Sequence, residues 1–421
     1  MIMIPYGERI GYKMNKISIN LTTIQEAAAQ MTGIINQTPL IRAPWLGQAS
    51  NTRVYLKLEN LQITGSFKCR GALTKILSLS KDQRARGLIA VSAGNHAQGV
   101  AIHAQRLGLS ATIVMPIHTP VAKVEQTEAL GAHVVLYGEN LAQSFEKAQS
   151  LINEENLTLI HPFNDPFVIT GQGTIALEIL TQCPEINTLI IPIGGGGLCS
   201  GIAIAAKALN PSIEIYGVQS IHCPSMIQAL YPERSFIPQE LHRIPIAEGI
   251  MVKTPGQLTQ KILKEHLTDI LAVSDDHIED AINQLVTCGK LVAEGAGAAG
   301  VAALLAHGER FKGKTVGTVI CGGNIDSRIL SSELMRALVR QGKLVRLQIQ
   351  LHDSPGSLGR ITKIIGDEGG NIFELTHQRY FSHLTVKMTE VDVCIETRGL
   401  EHAHHIIHQL QLESFPARFI E

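Results

Sequence analysis

Aromatic residues make up only 4% of the 421-residue chain, and there is a single tryptophan. Neither sign of charge dominates: 36 basic against 37 acidic residues leave a formal net charge of −1. Few stacking surfaces and no basic field give no basis for binding nucleic acid or an anionic membrane surface. No uninterrupted apolar run approaches the roughly 20 residues of a membrane span. The seven cysteines, at 69, 183, 199, 223, 288, 321 and 394, are odd in number and form no Cys-x-x-Cys. A disulfide framework and a thiolate zinc site are therefore not encoded locally, and the cysteines read as reduced thiols of a cytoplasmic protein. The opening MIMIPYGERIGYKM lacks the long apolar stretch and small-residue cleavage site of a secretory signal. Residues 1–16 are expected to be a disordered extension.

What is present is a globular composition, 45% hydrophobic and 17% charged, long enough for about two or three domains. A large ligand-binding protein has the same composition. From Tyr55 to Gly308 short apolar runs alternate with amphipathic ones. LIAVSA, ATIVMP, HVVLYG, TLIIPIG and IEIYGVQ read as buried strands. HAQGVAIHAQRLG, PVAKVEQTEALG, NLAQSFEKAQSLINEE and SGIAIAAKALN read as helices, several ending on glycine or asparagine. KTVGTVICGGNID, residues 314–326, reads as one more strand with a glycine turn. Such alternation implies right-handed βαβ units and a mostly parallel sheet, an α/β fold.

Past Val345 the pattern changes. VRLQIQLHD, NIFELTHQRY, LTVKMTEVDVCIET and PARFIE are strand-like, while SLGRITKIIGDEG and LEHAHHIIHQLQL are helical. Their order, β-α-β-β-α-β, is the ferredoxin-like split unit. Residues 345–421 therefore form a separate module, bounded near Gly342.

The most informative stretch is IIPIGGGGLCSG, residues 190–201, where a hydrophobic strand meets Gly194, Gly195, Gly196 and Gly197 and then a helix. Four glycines let backbone N–H groups converge on one anion beside a helix N-terminus. A merely flexible turn of this composition is entropically costly. There is no Gly-Lys-[Ser/Thr] of a P-loop, and the G-x-G-x-x-G dinucleotide pattern fits poorly. Far upstream, Lys68 lies between Phe67 and Cys69 in NLQITGSFKCRG. An amine that forms an imine must be partly neutral, and apolar neighbours such as Phe67 favour that by desolvation. Alone, Lys68 reads more readily as a salt-bridged structural lysine. Phosphate cradle and imine-forming lysine together point to pyridoxal 5′-phosphate.

The ordered motifs TGSFKCRGA, SAGNHAQGVA, GQGTIALEI, PIGGGGLCSGIA, EGAGAAG and CGGNID resemble the fold-type II pyridoxal-phosphate enzymes of the serine/threonine dehydratase family, most of all the threonine dehydratases, over about residues 17–335. The resemblance implies a large domain from 17–54 and 161–341 and a small domain from 55–160, with the cofactor between them. It makes Lys68 the imine lysine and the base for the α-proton. It implies that Gly194 to Gly197 and the N–H of Leu198 hold the phosphate, that Asn95 bonds the cofactor's 3′-oxygen, and that Phe67 lies against its ring. Cys321 takes the position facing the pyridine nitrogen, where a neutral group keeps the ring a milder electron sink. The chain around Ser92, Gly94, Asn95 and His96 is implied for the substrate carboxylate. Glu294, in EGAGA, is a candidate for tuning the site or for a cation-binding region.

The resemblance implies dehydration and deamination of L-threonine to 2-oxobutanoate and ammonia, the phosphate of the cofactor protonating the departing hydroxyl. Serine is the expected side substrate, since one methyl is worth roughly 1–3 kcal/mol. Serine itself or 3-hydroxyaspartate as main substrate, and a catalytically silent amino-acid sensor, stand as alternatives; an intact Lys68, Asn95 and glycine loop argue against the last. Serine racemases of this family carry a second acid–base serine where this chain has Ala93, and a carboxylate metal site where it has Gln219, Cys223 and Ser225. Racemisation and a metal there are not expected.

The loop DSPGSL, residues 353–358, resembles that of ACT domains and makes Asp353, Gly356 and Leu358 the candidate effector site for an amino acid, isoleucine by the logic of feedback. A turn with an N-cap, or structural dimerisation, is the alternative. The family resemblance implies a homodimer or homotetramer. His402, His404, His405 and His408 share one helix; without His-Glu-x-x-His or further ligands they read as a solvated face.

Overall fold

The computed structural model describes residues 18–47, 51–234, 245–378, 385 and 387–420. The expected extension over residues 1–16 lies outside the described residues. The chain divides into two compact units between Ile325 and Asp326.

The first unit contains β1 (Leu40–Arg42), β2 (Arg53–Lys57), β3 (Leu88–Val91), β4 (Ala111–Met115) and β5 (His133–Leu136). They are followed by β6 (Thr158–Leu159), β7 (Thr188–Pro192), β8 (Glu214–Ser220), β9 (Asp269–Val273) and β10 (Thr315–Val319). A six-stranded sheet runs β1-β2-β10-β7-β8-β9, parallel except for β1. A four-stranded parallel sheet runs β5-β4-β3-β6. All five residues of β7 are buried, as expected of a parallel strand covered on both faces. The smaller sheet closes over Ala72, Ile76, Ala90, Val100 and Ile113.

The expected edge of the small domain at residue 55 falls inside β2, whose register with β10 runs from Arg53 to Lys57. A run as short as VYLK could not be assigned to a sheet before its long-range partner was known. Downstream, the helix Ser327–Arg340 goes with the second unit, whereas residue 341 was the expected end of the large domain. The reason is the tight turn after it: Gly342, with φ 63, lets Lys343 N–H reach Leu338 O at 2.9 Å and leads directly into the next strand.

The second unit contains β11 (Leu344–His352), β12 (Asn371–Gln378), β13 (Met388–Glu396) and β14 (Ala417–Phe419). They form an antiparallel sheet ordered β12-β13-β11-β14, the ferredoxin-like arrangement read from the element order. The helices Ser357–Asp367 and Leu400–Leu412 bury Ile361, Ile365, Ile406 and Leu410 against Leu347, Ile349, Val391 and Val393. One histidine departs from the expected solvated face. His402 is buried, its Nδ1 accepting from Arg398 N–H at 3.1 Å and its Nε2 facing Glu368 O at 2.8 Å. It shares the inward helical stripe with Ile406 and Leu410, whereas His404, His405 and His408 are exposed.

The first unit is pinned by a buried ion cluster. Arg70 donates to both oxygens of Glu59 at 2.8 Å and to Glu178 at 2.6 and 3.1 Å. Lys57 Nζ joins Glu178 at 2.6 Å and Thr38 O at 2.6 Å. Arg70, Glu59 and Lys57 are each at most 1% exposed. Removing one member leaves a buried charge without its partner, so Arg70→Met is expected to lower stability by about 3–5 kcal/mol, measured by urea unfolding.

Candidate active site

Functional side chains gather where the chain leaves the C-terminal ends of parallel strands, as in other open α/β sheets. After β2 the chain turns at Gly65 and is clipped to the segment leaving β10. Gly323 N–H donates to Gly65 O at 2.9 Å, Phe67 N–H donates to Cys321 O at 3.1 Å, and Ser66 bridges Gly322. The helix Lys68–Ser78 begins at once, without a side-chain cap, and Lys68 is its first residue. Its Nζ donates to Pro162 O at 3.1 Å and lies 5.2 Å from the Phe67 ring centroid. Desolvation pushes the amine down to about 8, against the pull of Cys321 and Glu294.

β7 delivers the glycine loop, and the helix Gly197–Leu209 follows with no side-chain cap on its first amides. Those amides have no acceptor within the helix. Gly196 has φ 95, open to glycine and strained for other residues. A Cβ on Gly195 would lie 2.3 Å from the Phe163 ring. Thr259 Oγ1 holds the loop by donating to Gly195 O at 2.7 Å. Leu198, the second residue of that helix, is buried.

β3 delivers Ser92, Gly94 and Asn95. The helix Asn95–Arg106 also lacks a side-chain cap, and Ser92 Oγ accepts from Gly94 N–H at 3.2 Å. This leaves helix-start amides for a carboxylate. His96 offers its backbone only: its ring is buried, Nε2 faces Ile160 O at 2.8 Å, and desolvation holds it at about 3. His161 is held at about 4, again mainly by desolvation, and its Nδ1 accepts from Phe163 and Asn164 N–H at 3.2 and 2.9 Å.

β10 delivers Cys321, whose thiol donates to Ala296 O at 3.3 Å and is pushed far up by burial, so it stays neutral. Asn95 Nδ2 donates to Glu294 Oε1 at 2.7 Å, and Asn324 Nδ2 donates to Asn95 Oδ1 at 2.7 Å. At the racemase metal positions, Gln219 is buried with its amide spent on backbone: Nε2 donates to Ile193 O, and Oε1 accepts from Met226 and Ile227 N–H. Ser225 Oγ donates to Val252 O.

This donor set fits pyridoxal phosphate. A side-chain-free cradle at a helix start suits its phosphate, a partly neutral lysine suits its aldehyde, and a neutral thiol suits its ring nitrogen. The chain belongs to the pyridoxal-phosphate dependent enzyme family, whose description matches residues 31–322. Among its relatives, the L-threonine ammonia-lyase of Thermotoga maritima is 40% identical over 403 residues, spanning 96% of this chain and 100% of that protein. The solved structure of a threonine deaminase from T.th. is similar at TM-score 0.68 and 39% identity, covering 73% of this chain and 99% of that one. Maize serine racemase is similar at TM-score 0.70 and 32% identity, covering 77% and 99%.

Sequence reading missed the His161–Phe163 segment and Asn324. The position of HPFND just before the GQGT motif was the available signal for the first. Asn324 stood inside CGGNID with no role attached. Adding a methyl at the cradle should push Phe163 or the loop aside, so Gly195→Ala is expected to weaken pyridoxal phosphate binding at least about tenfold, read by titrating the cofactor-free protein with it.

Proposed function

We propose that the chain removes ammonia from L-threonine, giving 2-oxobutanoate, with pyridoxal phosphate as cofactor. The observation that carries this is one site holding a desolvated Lys68 amine, a tetraglycine cradle and the neutral Cys321 thiol. The cofactor, when bound, supplies the electron sink for the substrate α-carbon. Lys68 takes the α-proton, which its amine accepts only in the neutral form favoured by desolvation. The amides at the start of Asn95–Arg106 orient the substrate carboxylate. Phe67 covers the ring, and the neutral thiol of Cys321 leaves the pyridine nitrogen without a carboxylate partner. Ala93 cannot move a proton on the opposite face, which disfavours racemisation. Serine is a slower substrate of the same site.

The second unit takes an amino-acid effector, isoleucine in a biosynthetic role, and a homodimer or homotetramer in the cytoplasm is the assembly that accompanies this reading. Support comes from a cavity of about 290 Å³ lined by His352, Asp353, Gly356, Leu358 and His377. Gly356, with φ 88, opens the helix Ser357–Asp367 beside it. Regulation requires that the effector bind active and inactive states differently. All seven cysteines are free, and no helix among the described residues is long and apolar enough to cross a membrane.

Incubation with L-threonine, L-serine and their D-isomers, followed by 2-oxo acid release, tests the activity. Lys68→Ala is expected to lose at least about a thousandfold in kcat/KM and the lysine-dependent visible band; retention of both would refute the assignment. Isoleucine or valine is expected to shift the threonine saturation curve of the full chain, and Asp353→Asn to abolish that shift.

A further inference from the structure

We propose that Glu294 is a positioning residue which, with Asn324, locks the Asn95 side-chain amide in one orientation and leaves a single N–H on Nδ2 for the cofactor. The proposal rests on reading Asn95 as the partner of the cofactor's 3′-oxygen.

The amide is held from both ends. Nδ2 donates to Glu294 Oε1 at 2.7 Å, and Oδ1 accepts from Asn324 Nδ2 at 2.7 Å. With Glu294 ionised, a flipped amide would set oxygen against the carboxylate and NH₂ against NH₂, losing both bonds. Asn324 is itself tied down: its NH₂, with two hydrogens to give, has Thr64 O at 2.8 Å and Gln98 Oε1 at 3.1 Å within reach besides Asn95 Oδ1. Thr64 lies four residues before Lys68, so the network joins the amide to the backbone that carries the amine. Glu294 is fixed by its own N–H, which donates to Gly322 O at 3.1 Å. Gly322 has to be glycine for this: a Cβ there would lie 2.3 Å from Glu294 Oε1 and 3.1 Å from Asn95 Nδ2.

Two bonds from one nitrogen compete for its donor strength. An ionised Glu294 takes the stronger, charge-assisted share, and a protonated one releases it to the cofactor oxygen. The charged and titratable groups facing Glu294 are Lys68, Lys123, Glu248 and Cys321. Burial outweighs the two lysines and Asn95, raising the carboxyl to about 7. Its charge therefore changes across neutral pH, neutral below and ionised above.

The test uses the full-length protein loaded with pyridoxal phosphate. The visible absorption band is followed from about pH 5.5 to 9, together with the rate of cofactor release on dilution. Glu294→Gln keeps the shape and removes the titration, so the midpoint of the band's pH dependence should move by at least about one pH unit. Glu294→Asp should restore a titration at an altered midpoint. Asn324→Ala carries no charge change, so a moved midpoint and about tenfold faster release would show the effect passing through Asn95. A wild-type midpoint in Glu294→Gln, or a wild-type spectrum and release rate in Asn324→Ala, overturns the proposal. If Glu294→Gln does not fold by circular dichroism, the Asn324→Ala result decides alone. A wild-type protein with no visible band overturns the cofactor reading and this inference with it.

Discussion

Arg70 is the charge on which the arrangement of the first unit depends. It sits two residues beyond Lys68 on the same helix and is fully buried, and its guanidinium spans Glu59 and Glu178 with four hydrogen bonds. Glu59 follows β2 and Glu178 lies on the helix Pro166–Gln182, so one side chain joins three elements. A guanidinium buried there is tolerable only because its donors are matched in direction as well as charge. Its effect is to fix the start of the helix, and with it the amine.

The same low-polarity interior sets the chemistry of the site. Desolvation lowers the Lys68 amine and the His96 and His161 rings, and raises the Glu294 carboxyl and Cys321 thiol. In each of them burial favours the neutral form over the charged one. The neighbouring charges act as corrections to that effect. Lys68 and Glu294 each oppose the other's shift.

Much of the fold was legible because parallel strands buried on both faces are nearly continuous in hydrophobicity. TLIIP and ATIVM are examples, found as β7 and β4. β2 escaped assignment because its place depends on pairing with β10, more than two hundred residues away. The helix Ser327–Arg340 was readable as a helix, but its allegiance lay in a turn at Gly342 that no local pattern reveals. His402 was grouped with its exposed neighbours because histidine is read as polar, while the helical stripe buried it.

By itself the sequence determined the reactive inventory: an amine beside an aromatic ring, four glycines at a strand–helix junction, and a thiol after a strand. Those features are local, because glycine freedom and side-chain type do not depend on distant partners. The tertiary structure alone decided which groups meet and in what protonation state. Glu294 and Asn324 stand 199 and 229 positions from Asn95 along the chain, and the three touch only because the segments after β3, after β10 and before the helix Gly295–His307 meet in the fold. Burial, which moves Lys68 to about 8 and Glu294 to about 7, is a property of the packed whole.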